Sequence, residues 1–596
     1  MSPLREPAPI SDAFLGVERS ALGRRWVPRL DAMGSNAALA LAQRSGLPDV
    51  VARVLAGRGV TDPIAAEAFL APRLRDLMPD PDTMTDCRAA ATRMAEAVGR
   101  GERVAVFGDY DVDGAVAAAI VARTLRALGC EVEIYIPDRI KEGYGPTVRA
   151  MEALADRGAN LVVTVDCGVM SHEAIAAARA RGLDCVVLDH HQTGPELPGA
   201  VAVVDPNRQD DLSGLGYLCA GGVAFMAMIS LRRVLARTDF PDLMAMLDLV
   251  ALATVCDVVP LVGLNRALVV QGLKVMARGT NPGLAALYRL AGLKGAPDAT
   301  SLGFALGPRI NAGGRVGDAS LGARLLCETD PDAADGIAAA LDGFNRERQA
   351  VEAEVLRAAV DEAGREVGGA TPPPVIVTAS EGWHPGVVGL VASRLKDRFD
   401  RPAFAIGFDG SGRGTGSGRS VPSLDIGAMV RGAVEAGLLE KGGGHAMAAG
   451  LTVRRERMSE LREWFERHAA RHVDATRTPE LEIDAALAAS GATADLVTVL
   501  ERAGPYGAGH PRPRFAVPDH VVAEARVVGK GHVMARLSGM DGTKLRVVAF
   551  RAADTPVGAA LLGRIGRRTH VAGTLERDDY RGQRATVLHV EDAAEA

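Results

Sequence analysis

Between residues 101 and 190 the chain alternates short runs rich in β-branched residues with alanine-rich runs. VAVF (104–107) precedes AVAAAIVARTLRALG, EIYI (133–136) precedes a helix expected from Pro146, LVVTV (161–165) precedes HEAIAAARARG, and CVVL (185–188) follows. No other feature restricts the fold as much. A strand that is apolar at nearly every position is buried on both faces, and helices between successive strands are the connections that parallel strands need. The pattern predicts a doubly wound α/β domain with a parallel sheet.

Three of these strands end in acids. VAVFGDYDVDG puts Asp109, Asp111 and Asp113 just past the first, LVVTVDCG puts Asp166 past another, and CVVLDHH puts Asp189, His190 and His191 past a third. The carboxyl ends of strands in an open α/β sheet share one edge, where ligands bind, so these groups are expected to converge. Crowded carboxylates repel one another, and their pKa values rise unless a cation neutralises them. Carboxylate and imidazole donors without thiolate suit Mn²⁺ or Mg²⁺; imidazole also accepts Zn²⁺ or Fe²⁺, so donor chemistry leaves the ion open. The acids outnumber the needs of one ion. Two ions about 3.5–4 Å apart serve phosphoryl displacement, which makes phosphoester hydrolysis the leading chemistry.

Structural roles compete for each residue. Asp109-x-Asp111-x-Asp113-Gly114 resembles the opening of a calcium EF-hand loop, but the position that needs a bidentate Glu is Ile120, and a strand precedes the motif. An Asp at a strand end often caps the next helix, and Asp189 is suited to orienting a histidine without touching metal. The adjacent His190 and His191 are much harder to explain structurally. Asp257 is an acid within an apolar helical run, LVALATVCDVVPL, where an unpaired charge is costly, and is expected as a distant ligand.

The remainder reads as modules. At roughly 100–200 residues per domain, 596 residues predict three or four domains. Residues 1–100 read as helices broken by proline-rich turns, and 101–333 as the first α/β domain. Residues 334–370 read as a connecting helical segment ending at the breaker GGATPPP, and 371–475 as a second α/β domain with a Gly/Ser-rich stretch (410–420). Residues 476–596 carry short alternating runs suited to a five-stranded OB-type barrel. No stretch reaches the ~18 apolar residues of a spanning helix and no signal-peptide core follows the first charges, so a cytoplasmic protein without a membrane partner is expected. Seven cysteines without a C-x-x-C pair read as reduced, buried small hydrophobes. The net charge of −6 argues against a uniformly basic nucleic-acid binder. Yet residues 502–551 hold 9 Lys+Arg against 3 Asp+Glu, a basic stretch on the expected barrel, where single strands would be tracked.

In this order, GDYDVDG, TVDCG, LDHH and ATVCDVVP resemble the four metal motifs of the DHH phosphoesterases. SEGWHPGVVGLVASRL (380–395), GSGRS (416–420) and KGGGHAMAAG (441–450) resemble the DHH-associated domain. GPRINAGGRVGDA (307–319) and GPYGAGHPRPRF (504–515) are similar to segments of the RecJ single-strand-specific exonucleases, and the resemblance runs from about residue 60 to about residue 590. It implies a 5′→3′ exonuclease of DNA repair and recombination that releases 5′-mononucleotides from single-stranded DNA with Mn²⁺ or Mg²⁺. By position it implies metal binding by Asp111, Asp113, Asp166, His190 and Asp257, with Asp109 a ligand or an acid behind the ligands. Asp166 would bridge two ions, Asp189 would support catalysis, and His191 would contact the scissile phosphate. A single-strand-binding protein and a RecQ-type helicase are the partners it suggests. Two departures stand out: His510 occupies a position expected to be Asn, and the sequence ends after the OB-like region, where some members have a further domain.

The same segments supply candidate strand-binding groups. Arg309, Asn311 and Arg315 suit a 5′ phosphate, with capping or surface roles left open. Gly442, Gly443, Gly444 and His445 are expected to present successive backbone N–H groups to an anion, near Arg419 and Ser420. Trp383 and His384 are candidates for stacking on a base, against a core role for Trp383. Competing functions are a DHH hydrolase of small substrates such as oligoribonucleotides, pAp or cyclic dinucleotides, and a DNA-binding scaffold that has lost catalysis; the presence of every motif acid weighs against the scaffold.

Overall fold

A computed structural model of the chain describes residues 13–139, 142–368, 373–473, 478–578 and 585–596. The first twelve residues and part of the expected breaker, 369–372, therefore lie outside the described residues. The chain forms two compact units. One comprises Met78–Val259 and Leu268–Arg477; the other comprises the chain up to Leu77, Pro260–Ala267 and Thr478–Ala596.

The larger unit is built on a parallel sheet of β1 (Arg103–Gly108), β2 (Glu131–Tyr135), β3 (Leu161–Val165), β4 (Asp184–Leu188) and β5 (Ala202–Val204), in the order β2-β1-β3-β4-β5. Strand order reverses between β1 and β3, the switch point at which such sheets open a ligand crevice. On one face Phe107, Val162 and Val187 pack against Met151, Leu154 and Ile175 of the covering helices. Helix α1 (Cys87–Arg100), which the sequence reading leaves in the N-terminal segment, packs on this unit's other helices and on β5. Helix α2 (Val112–Ala127) is buried almost all round, between α3 (Ala220–Leu235) and α4 (Leu247–Cys256), which accounts for its alanine-rich sequence.

Helix α5 (Gly307–Val316) leads toward the 37-residue α6 (Pro331–Val367), about 55 Å long at 1.5 Å per residue. Asp330 caps α6, and Pro331 occupies its first position, where a missing N–H costs nothing. Its buried stripe includes Ala334, Ala338, Leu341, Asn345, Arg348, Glu352, Val355, Ala359 and Ala363, at three- and four-residue spacing. The stripe lies against α5 and against α7 (Pro385–Phe399).

The second sheet has the order β9-β10-β8-β7-β6, from β6 (Ile376–Glu381), β7 (Ala403–Phe408), β8 (Arg413–Arg419), β9 (Lys441–His445) and β10 (Ala448–Arg454). Only β6 and β7 pair in parallel. The Gly/Ser-rich stretch is largely a strand, β8. Gly414, Gly416 and Gly418 lie under Phe408, Ile406 and Phe404, where a Cβ would overlap those side chains, so neighbouring residues fill the space that glycine leaves.

In the other unit, β11 (Ala485–Ala486), β12 (Arg514–Val528), β13 (His532–Ser538), β14 (Lys544–Ala549), β15 (Arg568–Asp578) and β16 (Ala585–Glu595) follow the order β11-β12-β13-β14-β16-β15. Pairing of β12 with β15 closes five strands into the expected OB-type barrel. The N-terminal segment is not wholly helical: Arg25–Pro28 is a strand paired in parallel with Glu480–Ile483. Trp26 is fully buried, and its Nε1–H donates to Asp592 at 3.2 Å. Among the described residues no helix is long and apolar enough to cross a membrane.

Candidate active site

The loops after β1, β3 and β4 open on one edge of the parallel sheet, and the chain's acids gather there. Asp111 caps α2, its Oδ1 accepting from Asp113 N at 2.9 Å and Gly114 N at 3.1 Å. The capping role therefore holds alongside the expected ligand role. Gly114 is obligatory, because a Cβ would lie 2.6 Å from the Asp109 backbone. Asn311 Oδ1 accepts from Val112 N at 3.0 Å, so this candidate strand-binding residue braces the aspartate loop.

Asp113 is fixed by the start of α3, where Ala220 N and Gly221 N donate to its two oxygens at 2.6 and 2.7 Å. Asp166 has φ +60°, a left-handed conformation that few non-glycine residues adopt. Asp257 is the C-cap of α4, which ends at Cys256, and so stands at the helix end rather than inside it as the sequence reading has it. There its carboxylate can leave the apolar core.

Three overlapping groups bring one donor atom from each member within 4.8 Å of the others: Asp109, Asp111 and Asp166; Asp113, His190 and Asp257; and Asp166, His190 and His191. Asp166 and His190 each belong to two groups. Burial raises the pKa values of Asp109, Asp113 and Asp166, with the charge of Asp111 adding to each. Burial, then Asp113 and Asp111, push Asp257 up to about 9. Buried Asp109 Oδ1 and His190 Nε2 find no hydrogen-bond partner among the described residues. Clustered acids held above their ordinary range, with an orphaned imidazole nitrogen among them, fit divalent cations.

Asp189 is spent on orientation. Its Oδ1 takes the His191 Nδ1 contact at 2.7 Å and the His190 backbone N–H at 2.8 Å, and its Oδ2 accepts from Val169 N at 3.0 Å. Burial would depress the His191 pKa, but the hydrogen bond and charge of Asp189, helped by Asp257 and Asp109, lift it to about 9. Despite burial, His191 and those backbone donors hold the Asp189 carboxyl below its ordinary value.

The strand-binding candidates divide. His445 is brought in: its ring stacks near His191, with centroids 6.3 Å apart. Gly443 and Gly444 lie in β9, paired with Gly450 and Ala449 of β10, so the glycine run is a strand rather than the expected anion nest. Successive N–H groups of a strand point to opposite sides and cannot converge on one anion. Ser420 is turned inward, its hydroxyl donating to Leu424 O at 2.7 Å. Arg309 is committed to Asp342 at 2.9 Å and to the Ala305 carbonyl at 2.7 Å. His384 caps α7 by accepting from Gly386 N, and Trp383 belongs to the core.

Arg315 and Arg419 form a basic cluster with a residue that sequence reasoning missed, Arg139. Burial, then Arg139 and Arg348, pull Arg315 down to about 10, and burial with Arg139 also lowers Arg419. Buried guanidinium groups gathered beside like charge mark a place that an anion would relieve. Arg139 lies over the Tyr110 ring, 5.0 Å from its centroid, within the first aspartate motif. Tyr144 was also missed. Its hydroxyl donates to the Asp166 carbonyl at 3.0 Å and stands 3.3 Å from His191 Nδ1. The available signal was topological: both residues follow β2, whose end opens on the same edge.

His510, in the other unit, has a packing role. Its Nε2 contacts the Ala503 carbonyl at 2.7 Å, its ring stacks on Tyr506, and burial pulls its pKa down to about 4.

Residues 103–254 match the DHH family N-terminal domain, 373–470 the DHHA1 domain and 483–592 the RecJ OB domain. The chain is 35% identical to the single-stranded-DNA-specific exonuclease RecJ of Dickeya dadantii, over 91% of this chain and 96% of that protein. It is 32% identical to the RecJ of Bacillus subtilis, over 93% and 69%. The crystal structure of Thermus thermophilus RecJ in complex with Mn²⁺ superimposes with a TM-score of 0.79 at 30% identity, covering 94% of this chain and 78% of that one. A Mg²⁺ complex of the same protein gives 0.73 at 29% identity, covering 94% and 77%.

Proposed function

The chain belongs to the RecJ family and is a metal-dependent exonuclease of single-stranded DNA; we propose that it works from the 5′ end and releases 5′-mononucleotides. The observation that carries this reading is the pair of acid groups joined through Asp166 and His190. In this reading Asp109, Asp111 and Asp166 hold one ion, Asp113, His190 and Asp257 hold the other, and Asp166 serves both. Bound there, Mn²⁺ or Mg²⁺ supplies positive charge to the phosphate and lowers the pKa of the attacking water.

The protein's own groups do the rest. With Asp189 holding Nδ1–H, protonated His191 presents Nε2–H as a donor to the phosphate, and its pKa of about 9 keeps that proton at neutral pH. Tyr144 ties the turn that carries Asp166 to the ring of His191. Arg139, Arg315 and Arg419 are read as the holders of the terminal 5′ phosphate, with His445 closing the site from β9. Work in the cytoplasm, in repair and recombination, alongside a single-strand-binding protein and a RecQ-type helicase, belongs to the same reading and rests on family membership.

The test uses the full chain with 5′- and 3′-labelled single-stranded and duplex DNA, in Mn²⁺ and in EDTA. Release of labelled mononucleotide from the 5′ end of single strands in Mn²⁺ alone is expected. Attack only from 3′ ends, or equal attack on blunt duplex, contradicts the polarity or the strand preference.

A further inference from the structure

The loop of residues 205–219 joins β5 to α3 and reaches one of the two ion groups from two sides. Within it, the Leu218 carbonyl faces His190 Nδ1 at 3.1 Å. Directly after it, the Ala220 and Gly221 N–H groups hold the two oxygens of Asp113. His190 and Asp113 belong to the same donor group, with Asp257.

Asn207 ties this loop to the histidine. Its Nδ2 donates to the His190 carbonyl at 2.6 Å and to the Gly216 carbonyl at 3.1 Å, and its own backbone N–H donates to Asp205 Oδ1 at 2.8 Å. An amide nitrogen carries two hydrogens, so one side chain serves two carbonyls that can only accept. Gly216 allows the close approach, since a Cβ there would stand 2.5 Å from Asn207 Oδ1. The first bond grips the backbone of His190 just past β4, and the second holds the chain two residues before Leu218. One amide thus fixes both the backbone of His190 and the carbonyl that orients its ring. The early part of the loop has fastenings of its own: Arg208 pairs with Asp86 at 2.8 Å and with Asp210 at 2.6 Å, and Asp211 accepts from Thr85 N at 2.8 Å. Loss of the amide therefore frees the Gly216 end and leaves the Arg208 end in place.

We propose that Asn207 is a positioning residue for one of the two ions: through His190 and the Leu218 carbonyl it sets the affinity of the group formed by Asp113, His190 and Asp257, and it spares the group of Asp109, Asp111 and Asp166. The inference rests on the two-ion reading above and adds a determinant that touches neither ion. A ligating histidine binds best when hydrogen bonds to its other ring nitrogen and its backbone fix the ring before the ion arrives. Removal of such support typically costs tenfold to a hundredfold in metal affinity. A residue needed only for packing would weaken both ions together.

The experiment titrates Mn²⁺ into the metal-free full chain by calorimetry and follows melting of the same samples in EDTA. Wild type is expected to take up two ions. Asn207→Ala weakens one of them by on the order of tenfold or more, the same one that Asp257→Asn weakens, and leaves the other at wild-type affinity. Asn207→Asp keeps the size of the side chain but turns oxygen toward both carbonyls, so it weakens the same ion at least as far. Gly216→Ala, whose Cβ displaces the amide without removing it, gives the same selective loss. In hydrolysis Asn207→Ala lowers kcat at low Mn²⁺, excess Mn²⁺ restores it, and KM for single-stranded DNA stays near wild type. Equal weakening of both ions, unchanged affinity for both, a loss confined to the Asp109 group, or unfolding of all three loop variants in EDTA overturns the inference. Uptake of a single ion by wild type contradicts the two-ion reading itself, and the inference falls with it.

Discussion

His190 Nε2 stands 3.3 Å from Asp166 Oδ1 and 3.7 Å from both Asp113 Oδ2 and Asp257 Oδ2, while His190 Nδ1 faces the Leu218 carbonyl at 3.1 Å. A carbonyl only accepts hydrogen bonds, so Nδ1 carries a hydrogen, and Nε2 is the ring atom that faces the three carboxylates. Carboxylates gathered this closely repel one another unless a cation stands among them.

Metal removal should therefore expose a pH-dependent weakness. Asp257 is lifted to about 9 by burial, Asp113 and Asp111, against about 3.9 in an unfolded chain. A carboxyl whose folded-state pKa is raised favours the fold below the unfolded value, and that advantage disappears as pH rises toward 9. In EDTA the melting temperature of the larger unit should fall between about pH 5 and pH 9, and the gain on adding Mn²⁺ should be greatest at the alkaline end. Asp257→Asn should melt roughly 2–4 °C above wild type in EDTA at pH 8 and lose part of the Mn²⁺ gain. Calorimetry across pH reads both effects, and a flat wild-type profile in EDTA would count against the assignment.

Asp189→Asn should change the pH dependence of hydrolysis. Without the carboxylate, burial pulls the His191 pKa down from about 9, and the alkaline limb of kcat against pH moves to lower values by about one unit or more. Mn²⁺ binding, followed by calorimetric titration, should change little, because Asp189 lies outside the three donor groups. An unmoved alkaline limb would contradict the role given to the pair.

Tyr144→Phe removes the only hydroxyl bonded to the Asp166 carbonyl among the described residues. Loss of that bond should cost about 1 kcal/mol of stability and lower kcat on the order of tenfold, with KM nearly constant. A change confined to KM would instead make Tyr144 a strand-binding residue.

Arg139→Ala should abolish discrimination between 5′-phosphorylated and 5′-hydroxyl strands. The phosphorylated strand should lose roughly tenfold in kcat/KM, and the hydroxyl strand should keep its wild-type value. Steady-state rates on the two strands check this, and equal losses would move the terminal phosphate away from the arginine cluster. Ser420→Ala, whose hydroxyl faces Leu424 O, should leave both strands unaffected.

The acids were legible because each follows a buried strand, and parallel strands must deliver their carboxyl ends to a common edge. Asp257 was legible only as a costly charge; no glycine follows the helix end at Cys256, and the stop signal, Pro260, comes three residues after the cap and so leaves the exact end unmarked. Arg139 and Tyr144 were invisible to periodicity because PDRIKEGYG, the run that carries them, has no apolar period in its sequence. Gly442–Gly444 misled because glycine has low strand propensity, and pairing with β10 overrides it. Arg309 and Ser420 misled for a different reason. Their chemistry suits phosphate, and only the fold shows that Asp342 and the Leu424 carbonyl have already claimed them.

The strand Arg25–Pro28 reaches its sheet partner only at Glu480–Ile483, and Trp26 waits for Asp592, 566 positions later. A ribosome exposes the early partner long before the late one exists. During that interval the indole that ends in a dry core must remain in water or in the care of a chaperone. The larger unit has no such delay, since its sheets lie between residues 103 and 454. A chain cut short by a frameshift after residue 477 would thus retain the complete set of metal-site acids while its first strand had lost its partner. Damage of that kind should be recognised by proteolysis at the front of the protein, far from the break.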